Sequence, residues 1–394
     1  MDLKKPLTFD EQLDKLAAHG MIITDREKAK DILKRVNYYR FTGYALQFRQ
    51  DPSSSDYIVG TTFETVYHLY KVDEILRDTF RRYIEKAEVY YRTQISYGFS
   101  IAKCTDAPYD QHYDENNFYN KKGYREVMEN FSREKNYYKD SLIVKHHKMK
   151  YSSKMPLWVI VELMSFSNMS KLYSSMYYSE KDVIAHMVGV GRDTLENHLH
   201  CLSVLRNKCA HAARMYNTDF NPPAKFTTSF LRKHPEIKNN SLFAYTLVLL
   251  KRLPDEESKK SLVQIVETVI DEYRNDIDLE LIGFPENYLE IMNNNFDIYA
   301  LRGITENPVI LDFSKCKYLG EIHLMLKENF GFHDFYGENW DALWDLMQDV
   351  FCENKKYSVE LYGFYSMDKD LQDECRLMLE VFDDVHNETP NFTY

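Results

Sequence analysis

Residues 206–211 read RNKCAH. Within two helical turns they place an arginine, an asparagine and a histidine, a set that could cut a phosphodiester. A histidine that titrates near neutrality can take the proton of a ribose 2′-hydroxyl or return one to a 5′-oxygen leaving group. A guanidinium can stabilise the charge that develops on phosphoryl oxygens. An amide side chain can orient the phosphate or the imidazole. Arg206, Asn207 and His211 are the candidate catalytic residues. Their chemistry needs no metal, and no metal-ligand cluster or cofactor motif is expected.

The periodicity around this segment predicts a helix over 194–216, capped by Asp193 or Thr194 after Gly189 and Gly191. At 100° per residue, Leu195, Leu199, Leu202, Cys209 and Ala213 fall within about 40° of one another's mean direction and form a core stripe. His200, Asn207, His211 and Arg214 cluster at about 100–160° from it, a pattern that an ordinary solvated face would also produce. Arg206 falls at about 20°, inside the apolar stripe. A guanidinium cannot shed its charge, so Arg206 must meet a carboxylate, a partner chain or a bound anion. Glu88, Glu162 and Asp73 are the candidate internal partners. Arg206 and His211 lie about 140° apart on an ideal helix, so one must reach around or the site must be shared between chains. Glu88 and Arg92, one turn apart on an earlier helix, and Arg214 are the supporting residues. As i,i+4 pairs, Glu88–Arg92 and Asp73–Arg77 read as stabilisers of a solvated helix face.

A second constellation is FYGENWDALWDLM, residues 335–347. It sets Asp341 and Asp345 on one helix face with Trp344 beside them. The whole chain carries 61 acidic and 50 basic residues, a net charge of −11. Residues 307–394 hold 18 acidic and 7 basic residues, which leaves the other 306 balanced at 43 of each. All the excess negative charge therefore sits in the last 88 residues. An acidic face of this kind could enter the phosphate groove of a ribonuclease in place of RNA. The balanced N-terminal part shows no basic stripe, so an RNA groove there must be local or made by dimerisation.

The elements that position these residues change character along the chain. Residues 9–50 read as two helices, 51–60 as a loop and 61–102 as one long amphipathic helix. A polar loop-and-helix insertion follows over 105–150. Further helices are expected at 156–176, around 180–188, at 194–216, 241–253 and 257–276. Beyond that, NPVILDF (307–313) and KYSVELYGF (356–364) read as strands separated by helices, with NFTY as a short last strand. The expected architecture is an all-α helical bundle over 1–294, a linker at 295–306 and a small α/β domain over 307–394 with a parallel three-stranded sheet.

Composition is that of a globular protein, 44% hydrophobic and 28% charged. The 31 Tyr and 23 Phe read first as packing residues and only second as base-stacking surfaces. The six cysteines show no C-x-x-C pair, which argues against a zinc site or a secreted disulfide framework. The start lacks the apolar core of a signal peptide, and the longest apolar run, 242–250, is too short for a membrane span. A cytoplasmic protein with no membrane contact is expected.

The R-N-x-x-x-H pattern resembles the R-x4–6-H signature of HEPN-domain ribonucleases. Several separate segments resemble the Abi-like abortive-infection family: KPLTFDEQLDKLAAHGMII, VNYYRFTGYALQFR, GTTFETVYHLYKVDEILR, PLWVIVELMSFSNMSKLY and LRNKCAHAARMYN. The resemblance implies a HEPN helical fold and a metal-independent endoribonuclease serving antiphage defence. It also implies a homodimer that builds one site from two RNKCAH helices. The position after His211 is Ala212, so catalysis is expected to rest on His211 alone. Residues 307–394 resemble barstar, a ribonuclease inhibitor, most closely at YGEN-x-DALWD. By that resemblance Asp341 and Asp345 would face a ribonuclease, in cis or in trans, with Phe335, Gly337, Asn339 and Trp344 shaping the loop and helix. Two departures are Phe335, which lacks a hydroxyl, and Arg376, which falls where barstar has a contacting glutamate. The expected function is an RNA-cleaving HEPN enzyme restrained or regulated by its acidic domain. The other reading is a non-enzymatic protein whose barstar-like part neutralises a separate ribonuclease.

Overall fold

A computed structural model describes residues 3–297, 307–332, 336–350, 357–388 and 392–394, with backbone alone at 228, 229, 294–297, 345, 348–350 and 388. The first part of the chain is helical throughout. Helix α1 (Phe9–Ala18) begins with a capping box, in which the Glu11 amide donates to the Thr8 hydroxyl and the Thr8 amide donates to the Glu11 carboxylate. Helices α2 (Arg26–Arg35) and α3 (Tyr38–Tyr44) follow. The single helix expected over this stretch is divided because Val36 is extended and the Asn37 side chain caps α3 through the Tyr39 amide.

Helix α4 (Phe63–Lys103) has 41 residues and organises the rest. At 1.5 Å per residue it is about 60 Å long. Its buried positions recur every three to four residues, from Leu69, Val72 and Leu76 through Phe80, Ile84 and Tyr91 to Ile95 and Phe99. After it come α5 (Lys121–Tyr137), α6 (Leu142–Lys150), α7 (Leu157–Leu163), α8 (Phe166–Ser175) and α9 (Tyr178–Met187). The helix expected over 156–176 is split, because Ser165 is extended and its hydroxyl caps α8 at Asn168. Helix α10 (Arg192–Ala210) starts from Gly191 with no side-chain cap, not from Asp193 or Thr194, which lie in its first turn. Then come α11 (Thr228–Lys233), α12 (Leu242–Arg252), α13 (Glu256–Glu272), α14 (Leu279–Ile282) and α15 (Tyr288–Asp297).

Helix α4 packs against α3, α7, α9, α10, α12 and α13, and α10 packs against α4, α8, α9 and α12. Almost every residue of α12 is buried, so the apolar run at 242–250 is a core helix. Among the described residues, no helix is long and apolar enough to cross a membrane.

The C-terminal part has its own core. Strands β1 (Val309–Asp312), β2 (Tyr357–Tyr362) and β3 (Phe392–Thr393) form a parallel sheet in the order β1-β2-β3. Val309 pairs with Val359, and Tyr357 with Phe392. Helices α16 (Leu319–Asn329), α17 (Trp340–Val350) and α18 (Lys369–Glu388) connect and cover the strands. Leu311, Ile322, Leu343, Met378 and Phe382 are fully buried among them. The sequence-based expectation of an all-α part followed by a small parallel α/β part is met. Helix α15 runs to Asp297, and residues 298–306 of the expected linker lie outside the described residues.

Candidate active site and acidic helix

The six residues of RNKCAH meet different surroundings. Helix α10 ends at Ala210, and His211 is its C-cap (φ −93°, ψ 11°). Ala212 turns left-handed at φ 48°. The Ala212 amide donates to the Cys209 carbonyl (3.2 Å), and the Ala213 amide donates to the Lys208 carbonyl (2.9 Å). This is the paired-bond helix stop usually served by glycine, and the alanine Cβ costs about 1–2 kcal/mol there. The helix expected to run to residue 216 therefore stops six residues early, and it leaves the His211 side chain exposed at its end. Arg214, placed by helical periodicity beside His211, lies beyond the reversal and donates to the Gly43 carbonyl of α3.

Arg206 is 39% exposed at its side chain, with Nε 3.8 Å from a Glu88 carboxylate oxygen that is nearly buried. The apolar stripe predicts a buried arginine, but the side chain snorkels to the margin and pairs there. The other Glu88 oxygen accepts from Arg92 (2.7 Å). Arg92 also lies 3.7 Å from Glu162 and donates to the Met164 carbonyl (2.9 Å). Glu88 thus ties Arg92 and Arg206 together. The Asn207 amide donates to the Ser167 hydroxyl (3.1 Å) and sits on a cleft of about 640 Å³ shared with His200, Glu196, Lys171 and Lys225. Arg206 and His211 do not line that cleft. Lys208 lies over the Phe220 ring (4.8 Å), and burial lowers its pKa. Burial pushes the Cys209 thiol up to about 12, which removes it as a nucleophile near neutrality.

What fixes the histidine's position comes from residues that helical periodicity assigned to solvent. Asp73 is fully buried and Arg77 nearly so, and the Glu88–Arg92 pair is also mostly covered. Helix α4 is surrounded on too many sides to leave these pairs a solvated face. Asp73 accepts from the Tyr44 hydroxyl (2.5 Å), from Arg77 (2.6 Å) and from the backbone amides of Met215 (3.0 Å) and Tyr216 (3.2 Å). Arg77 also donates to the Ala213 carbonyl (3.3 Å), and Arg40 donates to the Ala212 carbonyl. Burial raises the pKa of Asp73, while Arg77, Tyr44 and the two amides pull against that rise. The segment after His211 is therefore clamped between α3 and α4, and VNYYRFTGY and HAARMY meet across that clamp. The signal was present in the sequence: Asp73 and Arg77 share the α4 stripe with Leu69, Val72, Leu76 and Phe80.

In the acidic part, Asn339 Oδ1 accepts from the Ala342 amide (2.9 Å) and its amide donates to the Gly337 carbonyl (2.9 Å). That pair of bonds fixes the loop and starts α17. Tyr336 is buried, 2.6 Å from His323 Nδ1, and the His323 ring packs on Trp340 (4.5 Å between centroids). Asp341 is 84% exposed in the first turn of α17, and Trp344 is half-buried against the domain core. Asp341 lies 3.9 Å from Arg232 of α11, not against Arg206 or His211. Arg376 is exposed and 3.4 Å from Asp373. Phe335 and the Asp345 side chain lie outside the described residues.

The chain thus presents R-N-x-x-x-H at the exposed end of one helix in a helical bundle, followed by a compact acidic α/β unit. Comparison with protein families bears on each part. Residues 31–217 match the family described as Abi-like protein, and residues 307–393 match the family described as barstar (barnase inhibitor). The chain thus joins an Abi-like region to a barstar-like region. No curated protein and no solved structure matches it.

Proposed function

We propose that the chain is a metal-independent endoribonuclease of the HEPN class acting in bacterial antiphage defence. His211 serves as general acid/base: it takes the 2′-hydroxyl proton as that oxygen attacks the adjacent phosphorus. His211 returns that proton to the 5′-oxygen as the P–O5′ bond breaks, so the products are a 2′,3′-cyclic phosphate and a 5′-hydroxyl. Arg206 stabilises charge on the phosphoryl oxygens, and Asn207 orients the phosphate. The observation that carries this reading is the placement of His211, an exposed imidazole at a helix end whose following segment is locked by buried charge. A rigid backbone behind a solvent-facing acid/base is what proton transfer at a bound substrate needs.

Arg206 and His211 reach one phosphate most readily across two copies of the chain. Val89, Tyr97 and Ile101 expose an apolar edge of α4 beside Glu88, and Trp158 of α7 is also exposed; these surfaces favour a homodimer. The barstar-like part regulates the activity in cis, or engages a separate ribonuclease in trans. The exposure of Asp341 favours a docking role for α17 and keeps the second reading, a non-enzymatic inhibitor, in play. The deciding experiment incubates purified full chain and its His211→Ala variant with total RNA and maps the ends. Cyclic-phosphate ends that require His211 support the enzyme; RNA left intact by the full chain and by residues 1–294 removes it.

A further inference from the structure

Beside His211 the structure holds a second, smaller cleft of about 420 Å³ that none of the expected catalytic residues lines. Its walls include Tyr39, Arg40 and Arg49 on one side and Ala212, Ala213 and Arg214 on the other. Three guanidiniums thus line one concavity, in a chain whose net charge is −11. Among the described residues, none of the three has a carboxylate within 4.0 Å. That is unlike Arg77, Arg92 and Arg206, each of which has at least one.

Arg40 spends one N–H on the Ala212 carbonyl, and Arg214 one on the Gly43 carbonyl. Each guanidinium has five N–H donors, so donors remain on both. Arg49 Nε is buried with no hydrogen-bond partner. Like charges gathered without counter-charge repel one another, and a bound polyanion would relieve that repulsion. Tyr39 is 86% exposed at the rim.

We propose that this cleft seats the RNA strand next to the scissile bond, its phosphates on Arg40, Arg49 and Arg214 and one base stacked on Tyr39. The inference rests on the endoribonuclease reading and extends it to how the substrate is held. It also accounts for a groove in a part of the chain with balanced overall charge: the cations are local and unpaired. A phosphate held by Arg40 would sit one residue from His211, because the Arg40 partner is the carbonyl of Ala212. Arginine and an aromatic face together suit single-stranded RNA, whose phosphates and unstacked bases are both accessible.

The test uses full-length chain silenced by His211→Ala and a labelled single-stranded RNA of about 20 nucleotides, long enough to fill such a groove. Arg49 and Tyr39 are the residues to change, because neither holds the segment after His211. Binding is read by anisotropy over a range of NaCl concentrations. Arg49→Gln should weaken binding about tenfold and reduce the slope of log K against log salt by about 0.7, one phosphate contact on a single strand. Tyr39→Ala should weaken it about tenfold as well, within the range for one stacked base, and leave the slope unchanged. Unchanged melting curves show that the fold is intact.

If the His211 chain cleaves RNA while both variants bind as tightly as their parent, the cleft proposal is overturned and the ribonuclease reading stands. If the same two changes, made in the chain that keeps His211, raise cleavage while binding by the silenced forms is unchanged, the cleft is a docking place for the acidic helix and the proposal is likewise overturned. If no RNA is bound or cut by any form, both fail together.

Discussion

Asp73→Asn tests the clamp behind His211. The change keeps the side chain's size and removes its charge. It leaves Arg77, 5% exposed at its side chain, as an uncompensated buried cation. It also puts an NH2 group among groups that all donate: the Tyr44 hydroxyl, Arg77 and the amides of Met215 and Tyr216. Removing one partner of a buried ion pair costs about 3–5 kcal/mol, and each stranded donor adds about 1–3. Relaxation and water entry offset part of this, so about 4 kcal/mol is expected. That is a large fraction of a domain's ~5–15 kcal/mol. The assay is urea unfolding of the full chain, followed by far-UV circular dichroism, which the helical part dominates. The control is a double-mutant cycle with Arg77→Met. With the cation removed first, Asp73→Asn should cost at least about 2 kcal/mol less than in the parent, a coupling typical of contacting charges. A loss below about 1 kcal/mol with no coupling would show that Asp73 does not hold the segment. The catalytic consequence is separate: surviving folded Asp73→Asn protein should cleave slowly at saturating RNA, because His211 is misplaced.

Four further outcomes follow. Ala212→Gly removes a Cβ from a left-handed position and should raise stability by about 0.5–1 kcal/mol, whereas Ala212→Val should lower it by more than that, both read from urea midpoints. His198 is fully buried, its Nε2 donates to the Lys225 carbonyl (2.8 Å), its Nδ1 has no hydrogen-bond partner, and burial holds its pKa well below the usual imidazole value. The unfolded chain takes up that proton near pH ~6.5 and the folded chain does not, so stability should be full above about pH 6.5 and fall below it by up to ~1.4 kcal/mol per pH unit; a flat profile from pH 7.5 to 5 would refute this. Asn339→Ala should cost the barstar-like part about 1 kcal/mol by removing the cap of α17, read as a shift in that part's tryptophan-monitored unfolding. Tyr97→Glu should convert a dimer to a monomer by sedimentation and lower cleavage with it; an unchanged oligomeric state would exclude that edge of α4 as the seam.

Periodicity recovered what long segments determine. Helix α4 and the alternation of strands and helices after residue 307 carry dense apolar repeats, and packing agrees with them. Glu88 was also identifiable as a partner for Arg206, because an arginine on an apolar stripe must find a carboxylate on a neighbouring apolar helix. What periodicity missed lies at the ends of elements. Asn37 and Ser165 each cap a new helix inside an apparently continuous repeat, since one hydroxyl or amide outweighs the weak propensity to continue. The stop after Ala210 carries no glycine signal, because Ala212 takes the left-handed turn. The Asp73–Arg77 pair was misassigned for a different reason. Spacing alone treats i,i+4 charges as solvated, but both residues share the apolar stripe of α4 with Leu69, Val72, Leu76 and Phe80, and the helices packed around α4 bury that stripe. The cleft beside Ala212 joins residues about 170 apart in sequence, and nothing local announces it.

The remaining question about the acidic helix is one of strength. Asp341 and Arg232 lie 3.9 Å apart with both side chains exposed, a pair that stabilises by less than about 1 kcal/mol. Between separate molecules that is negligible. Within one chain the requirement is smaller, because a short tether gives an effective concentration in the millimolar range. An internal contact of Kd about 1 mM, roughly 4 kcal/mol, would then be half occupied. The Asp341–Arg232 pair supplies only part of that value, so cis restraint requires further contacts from α17, and salt would weaken the charged ones, because the screening length shrinks from about 10 Å at 0.1 M to about 3 Å at 1 M. Capture of a separate ribonuclease through desolvated charges would depend on salt far less. The ratio of cleavage by the parent chain to cleavage by Asp341→Asn isolates the effect, because both share the same salt dependence of RNA binding. Under cis restraint the ratio starts below one at low salt and climbs towards one as NaCl approaches about 1 M, where the screening length of about 3 Å falls below the contact distance. A ratio of one at every salt concentration would end the cis reading and leave α17 facing a partner in trans.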